Sequence, residues 1–559
     1  MTDAAAQGPA QDEPHFEERA ENLSEEQFDQ WTTVTKFEER VLSQLCNSSP
    51  RLLVGPRGCG KTTLLRLASQ RIARTGRHLP IYVNYQRSFN LEPAFSTRAD
   101  AAEFFQEWLT AKILAAARTA HPKALAGQLA SLASGAQSFI DRAERDPSTP
   151  LIGLPGPAAL SKTLSDWAIE RSKAGVILLL DDAAQAFAPE QQRIFFEYVQ
   201  NIRSSLVSYK AAIYPGVTEY SPTYNIGHDA KIVDAWAVND DRYVASMHSL
   251  LERRMPDGLP PGLSNEVVEL LAAASFGIPR GFLNMIETFL GESPDPGLTT
   301  SVAVTTINQH AEEVDQVFRQ LAKKVPAFGN YISAGVDVEQ RMCNQLRLLN
   351  TVREERSSDE QAVDIAIRVP VNQKLRQILG LLEYAGIVRV SHETVSYGDH
   401  VYLRVALHSA ILMSRRAFAH GQNPTLRMRA RAALRGSRQF SSKRVLGDRL
   451  LPPEDAAACV LKLGECARCH QPRPTAEARF CFNCGAELKD ESRYAQLVQA
   501  SIAELALPSL KLEVLQSAGF STVEDILNDR GQTGLLRLWS IGPTWARRIQ
   551  SRAAEYVSL

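Results

Sequence analysis

The chain has 559 residues, 44% of them hydrophobic, and a formal net charge of -1. A single hydrophobic core stops growing at roughly 250 to 300 residues, so several domains are expected. Near-neutral charge excludes a surface drawn as a whole to nucleic acid or to membrane, and any basic face must be local.

Residues 1–30 are rich in carboxylates and poor in large aliphatics, the composition of a disordered acidic tail. From Trp31 the pattern becomes helical, with Phe37, Val41, Leu42 and Leu45 on one face, and Arg51 to Val54 then reads as a short buried strand. Ile81 to Asn84 is a second strand and the Ala-rich stretch from Asp100 to Arg145 a helical insertion. Val176 to Leu180 is the clearest strand and ends at Asp181 and Asp182, and Ala211 to Tyr214 is the fourth. Short apolar strands alternating with helices predict an α/β fold with a parallel sheet covered on both faces. From about 245 to 330 the periodicity is helical only. Leu375 to Tyr384, Ile387 to Val390 and Val401 to Val405 then follow the helix, strand, turn, strand order of a winged helix. Between 415 and 449 ten basic residues (Arg415, Arg416, Arg427, Arg429, Arg431, Arg435, Arg438, Lys443, Arg444, Arg449) face one acid, Asp448, which predicts a phosphate-binding strip. No apolar run reaches the roughly 20 residues that span a bilayer, and the N-terminus lacks the basic-then-apolar order of a secretory signal, so a cytoplasmic protein without a membrane partner is expected.

Gly55-Pro56-Arg57-Gly58-Cys59-Gly60-Lys61-Thr62 satisfies G-x-x-x-x-G-K-[ST] after a strand and before a helical pattern. Closely spaced glycines let backbone N–H groups face phosphates at a helix N-terminus. Lys61 is expected on the β- and γ-phosphates, the Thr62 hydroxyl on Mg²⁺, and Thr63 near the α-phosphate of ATP. Asp181, closing a strand, is expected to hold the same Mg²⁺, and Asp182 to orient or deprotonate the attacking water; a plain helix N-cap pair is the alternative for the two.

Taken together, these segments over roughly 31–420 resemble the AAA+ ATPases of the origin-recognition type, with kinship to STAND switches. The resemblance implies that Arg280, in Gly277-Ile278-Pro279-Arg280, senses the γ-phosphate from the lid and that Thr218 is a sensor after the fourth strand. An arginine acting on a neighbouring subunit is to be sought among Arg242, Arg253 and Arg254. Asp-Asp in place of the family's usual Asp-Glu predicts slow conversion of ATP and water to ADP and phosphate.

Cys466-x-x-Cys469 and Cys481-x-x-Cys484, eleven residues apart, form two knuckles able to place four thiolates around one structural Zn²⁺. A disulfide pair or an iron–sulfur cluster is the alternative. Residues 464–487 resemble a zinc ribbon. Residues 501–559 resemble the helix-hairpin-helix type domain that ends the bacterial RNA polymerase α subunit, through Ile502, Leu505, Leu507, Leu515, Gly519, Val523, Ile526 and Gly542. The polymerase domain's DNA-contacting positions fall on Leu510 and Glu513, so DNA and protein docking both stay open, with Trp545 expected exposed and Trp539 in the core.

The expected division is a tail (1–30), a P-loop core (31–245), a helical lid (246–330), a winged helix (331–413), a basic linker (414–460), a zinc ribbon (461–490) and a helix-hairpin-helix-like module (495–559). Function is expected to be an ATP-dependent, homo-oligomeric switch. It would engage DNA through the helix offering Lys374, Arg376 and Gln377, through Arg389 and Arg404 of the wing, and through the basic strip. The alternative is a signalling or antiviral-defence switch whose ribbon and C-terminal module take a protein partner.

Overall fold

The computed structural model describes residues 19–558 except 126, 183–187, 237–242, 293–297, 356–360, 420–423, 435–441, 476–477, 489–491, 506 and 530. Four apolar runs form buried strands: β1 (Arg51–Val54), β2 (Leu79–Asn84), β3 (Val176–Asp181) and β4 (Val207–Ile213). A fifth, β5 (Lys231–Asp234), has Lys231 and Ile232 exposed and only Val233 buried, so its sequence carries no apolar run. All pair in parallel in the order β2-β3-β4-β1-β5, with Leu53 opposite both Ala212 and Val233. The chain thus leaves β1 and β3 with their C-terminal ends side by side on one edge of the sheet, across β4 from one another.

Helices cover both faces. The P-loop helix (Lys61–Thr75) starts on Gly60 and stops on Gly76, both with positive φ, and the N–H of Gly76 caps the carbonyl of Ile72. The insertion forms helices Ala101–Ala120, Gly127–Ser134, Ala136–Ala143 and Pro157–Glu170, which bury Trp108, Phe139 and Trp167 against the β2 side of the sheet.

The tail differs from expectation over its second half. Residues 20–22 form a 3₁₀ turn and Glu25–Trp31 a helix, started by a capping box of Ser24 and Gln27. Phe28 is fully buried beneath the Arg66 guanidinium, 4.1 Å from the ring centroid. One aromatic anchor and one cap order a segment whose composition is otherwise acidic. Residues 1–18 lie outside the described residues.

Helices Tyr243–Arg254, Asn265–Ala274, Pro279–Gly291 and Thr299–Lys324 form the lid, and the long helix Gly329–Glu355 leads to a second sheet. That sheet contains β6 (Asp364–Arg368), β7 (Val388–Tyr397) and β8 (His400–Leu407), with helix Gln373–Tyr384 between β6 and β7, so that helix, strand, turn and strand follow in the order of a winged helix. Its fourth strand, β9 (Ser442–Val445), comes from the basic segment and pairs in parallel with β6, in the order β7-β8-β6-β9. The basic segment is therefore not a linker. Its helix Leu426–Ala433 buries Ala430, Ala432 and Ala433 against the lid helix Asn265–Ala274. Polar alternation in Ser442-Lys-Arg-Val445 hides the strand, because only Val445 is buried.

The module after the cysteines has short helices Ser509–Ser517 and Val523–Asn528 and ends in helix Pro543–Tyr556, the last helix. Its core residues Leu515, Val523, Ile526 and Ile549 are continuous with the lid core. The two tryptophans exchange their expected places. Trp539 is 74% exposed, whereas Trp545 is partly buried between Lys511 and Arg548. No helix among the described residues is long and apolar enough to cross a membrane.

Candidate nucleotide-binding site

The loop between β1 and the P-loop helix turns on positive φ at Gly58 and Gly60. Side chains are excluded by packing at two of its glycines, and at Gly58 by torsion as well. A Cβ on Gly55 would lie 2.5 Å from the Cys59 sulfur, and one on Gly58 2.8 Å from the Arg280 Cβ. Arg57, Gly58, Gly60, Lys61, Thr62 and Thr63 line one side of a cleft at the sheet edge. Cys59 is buried beneath them. Gly55 and Pro56 present carbonyls to the Lys61 ammonium at 2.7 and 2.9 Å. Lys61 is buried, burial lowers its pKa, and the Tyr214 ring lies 3.8 Å from the ammonium.

Across the P-loop, Asp181 closes β3 fully buried. It accepts a hydrogen bond from the Tyr82 hydroxyl at 2.7 Å, and the nearby Thr62 hydroxyl also favours its charged form. Burial, with the neighbouring Asp182 charge adding, pushes its carboxyl up to about 7 against these two donors. The residues expected to share a magnesium ion thus lie at the start of the P-loop helix, Thr62, and at the end of β3, Asp181. Asp182 has φ +51, strained for a side chain with a Cβ, and takes a 2.9 Å hydrogen bond from the Tyr214 hydroxyl. Burial raises its pKa as well, and Lys61 and Arg57 oppose that rise.

Arg280 reaches the cleft from the first turn of lid helix Pro279–Gly291, its backbone N–H 3.4 Å from the Gly58 carbonyl. Thr218 is placed elsewhere. Its hydroxyl donates to the Tyr214 carbonyl at 2.6 Å, closing the turn after β4. The reason lies in the same turn: Gly216, at φ +73, abuts Gly380 of helix Gln373–Tyr384, where a Cβ would fall 2.1 Å from the Gly380 carbonyl carbon. Tyr214, at the strand end, faces the cleft instead. Arg254 lines this same cleft with its guanidinium 4.7 Å from the Trp31 ring centroid, while Arg253 reaches the Gln30 carbonyl at 3.3 Å. Arg242 lies outside the described residues.

Trp31, Thr32, Thr35 and Met247 close the far side of the cleft. Sequence reasoning missed these, together with Arg19, Tyr82, Tyr214 and Glu555, because they lie outside the motif and carry no pattern of their own.

The wing differs from expectation. Arg389 is buried between Glu383 and Asp234, at 2.7 Å from each, and Arg404 is paired with the buried Asp364. Lys374 donates to the Ala456 carbonyl at 2.8 Å and Gln377 to the Gly216 carbonyl at 3.1 Å. Arg389 and Gln377 tie the winged helix to the P-loop core, Arg404 and Lys374 are satisfied by nearer groups, and Arg376 alone of the named set is exposed on that helix. In the basic segment Arg415 bonds Glu339 and Asp315, whereas Arg416, Arg427, Arg431, Arg444 and Arg449 are exposed; Arg435 and Arg438 lie outside the described residues.

The sulfur atoms of Cys466, Cys469, Cys481 and Cys484 lie within 4.8 Å of one another, with two separations of 3.5 Å. Disulfide sulfurs sit at about 2.05 Å, so these are four free thiols converging on a point. Four thiolates at about 2.3 Å from one ion produce separations of this size, and the donor set fits a tetrahedral metal.

A β1–loop–helix unit whose lysine shares a cleft with a strand-end acid defines a P-loop nucleotide-binding fold. Residues 13–89 match the family model ORC-CDC6-like, a segment that includes the whole glycine loop. No curated protein matches the chain. Among solved structures it is similar to Cdc6p from Pyrobaculum aerophilum, with 13% identity and a TM-score of 0.30 over 73% of this chain and 98% of that one. It is also similar to Orc1 of Aeropyrum pernix, solved in complex with DNA, with 17% identity and a TM-score of 0.28 over 69% and 93%.

Proposed function

We propose that the chain is an ATP-dependent switch of the ORC-CDC6-like kind that binds and slowly hydrolyses ATP and engages DNA. The single observation that carries the nucleotide reading is that Gly58, Gly60, Lys61, Thr62 and Thr63 of the loop line one cleft together with the strand-end Asp182. Asp181 and Thr62 would hold Mg²⁺, which relieves the burial and like-charge penalty on the ionised Asp181. The N–H groups of Gly58 to Thr63 cradle the phosphates, and Lys61 exchanges its loop carbonyls for phosphate oxygens. Asp182 is placed to take the proton from water as its oxygen bonds to the γ-phosphorus; the bond to the bridging oxygen breaks, releasing ADP and phosphate. Trp31 and Met247 are placed for the base. Binding of ATP and of ADP by the wild-type chain and by Lys61→Ala tests this reading; equal affinity in both proteins rules it out. ATP-dependent self-association belongs to the same reading and is measured by light scattering with and without nucleotide.

DNA contact rests on the exposed Arg416, Arg427, Arg431, Arg444 and Arg449, the part of the basic segment not engaged in internal ion pairs. The four cysteines would hold Zn²⁺ as the core of a segment that otherwise has almost none. A second reading, a signalling switch whose C-terminal modules take a protein partner, has one observation in its favour. Phe480 and Phe482 of the cysteine-bearing segment are 64% and 69% exposed, and Trp539 is exposed beyond it.

A further inference from the structure

The last helix crosses the mouth of the nucleotide cleft, and its end enters the cleft. Glu555 and Ser558 line it together with Gly58, Gly60, Lys61 and Thr62. One Glu555 carboxylate oxygen lies 2.7 Å from the Arg280 guanidinium and 3.1 Å from that of Arg19. Lys324, at the end of helix Thr299–Lys324, donates to the carbonyls of Glu555 and Ser558 at 2.9 and 2.7 Å. Arg57 of the P-loop donates to the Ser558 hydroxyl at 2.6 Å and approaches the Glu555 carbonyl at 3.5 Å.

Four cations from four separate elements therefore converge on one carboxylate, one hydroxyl and two carbonyls. Arg19 also reaches Glu21 at 3.5 Å. Arg19 and Lys324 are buried, and burial with the nearby Arg57 holds the Lys324 pKa well below its usual value. Burial raises the Glu555 pKa, but Arg280, Arg19, Arg57 and Lys324 together outweigh it and hold the carboxyl at about 2. The cluster remains richer in positive than in negative charge, which is the electrostatic requirement of a polyphosphate site. Two of its members, Arg57 and Arg280, belong to the loop and the lid turn that face the phosphates.

We propose that Glu555 is a specificity-determining group of this site, a built-in competitor for the terminal phosphate, so that a nucleoside triphosphate but not a diphosphate displaces the last helix. The proposal rests on the nucleotide reading above. A ligand shifts a two-state element only by its differential affinity for the states. The γ-phosphate is the group that ATP has and ADP lacks, and Arg280 is the group that Glu555 holds. The module carrying the last helix thereby reports phosphate-chain length to the rest of the molecule. The helix is held also by Arg548, paired with Glu287 of lid helix Pro279–Gly291, so docking can be loosened without touching the cleft.

The test uses the full chain with ADP and a non-hydrolysable ATP analogue. Glu555→Gln removes the charge and keeps the shape. It should tighten the analogue about five- to tenfold, the range of ordinary site coupling, and change ADP affinity less than twofold. Hydrogen exchange of the amides in Pro543–Tyr556 of the wild type should speed up with the analogue and not with ADP. Arg548→Ala should reproduce the analogue-specific tightening by a different route. If both nucleotides bind the wild type while the last helix stays equally protected and both variants keep wild-type affinities, the competitor role is wrong and the nucleotide reading stands. Binding of the analogue by Glu555→Gln alone supports the role in its strongest form; no binding by either protein overturns both readings.

Discussion

The P-loop and the winged helix both carry basic side chains, yet they use them in opposite ways. Lys61 and Arg57 line the cleft of the glycine loop. Arg389, Arg404 and Lys374 point inward to Glu383, Asp364 and the Ala456 carbonyl. The P-loop is one continuous stretch whose backbone turn aims each group, so residue order alone sets the roles. In the wing a guanidinium may face DNA or an acid, and residue order does not choose, because the acid (Asp234 for Arg389) sits on the strand of another domain. A basic residue tells of a partner only once its internal acids are known.

Four perturbations break or sharpen that contrast, and they run from the largest effect to the smallest. Stripping metal with a chelator should release one zinc per chain, unfold the cysteine-bearing segment and expose all four thiols to a thiol reagent, since structural zinc contributes on the order of 10 kcal/mol to such segments. ADP and ATP affinity should survive the treatment. Next, Arg389→Ala leaves the buried Glu383 unpaired and should cost about 3 to 5 kcal/mol of stability in urea unfolding. Were Arg389 a phosphate contact, duplex affinity would fall and stability would not. Lys61→Ala should then lower turnover about a hundredfold, roughly 2.7 kcal/mol, in steady-state assays, with little change in urea midpoint. Last, replacing both Arg427 and Arg431 by Ala should reduce the slope of log affinity against log salt by about 2 on duplex DNA. Unfolding should move by less than about 0.5 kcal/mol, the scale of surface changes. An unchanged salt slope would remove the basic segment from the DNA surface and favour the protein-partner reading.

The pH response offers a further check on Asp181. Its folded pKa lies near 7, above the ordinary carboxylate value, so the folded chain binds the proton more tightly than the unfolded one. Stability without Mg²⁺ should therefore be fullest below about pH 4 for this group and decline as pH rises towards 7. Asp181→Asn should flatten that decline in a series of thermal melts.

Much of the candidate site was legible in order alone. Gly55 to Thr63, Asp181 and Asp182 were readable, because a phosphate loop is a local backbone shape and a strand-end acid follows an apolar run, whereas Arg280 was readable only through a family resemblance. The cysteine knuckles were legible for the same reason, since two C-x-x-C turns are short-range geometry. Other features had no local signature: β5 and β9, with one buried residue each; the helical segment at residues 20–31, held by Phe28; and the exchange of Trp539 with Trp545. What residue order determined about this protein was the chemistry of its contiguous motifs. What only the tertiary structure decided was which charges meet: that Arg389 finds Asp234, that Thr218 closes its own turn, and that Glu555, some 275 positions beyond Arg280, sits against it. The physical reason is that a local motif brings its own partners, whereas a long-range ion pair exists only after chain folding places two distant groups within a few ångströms.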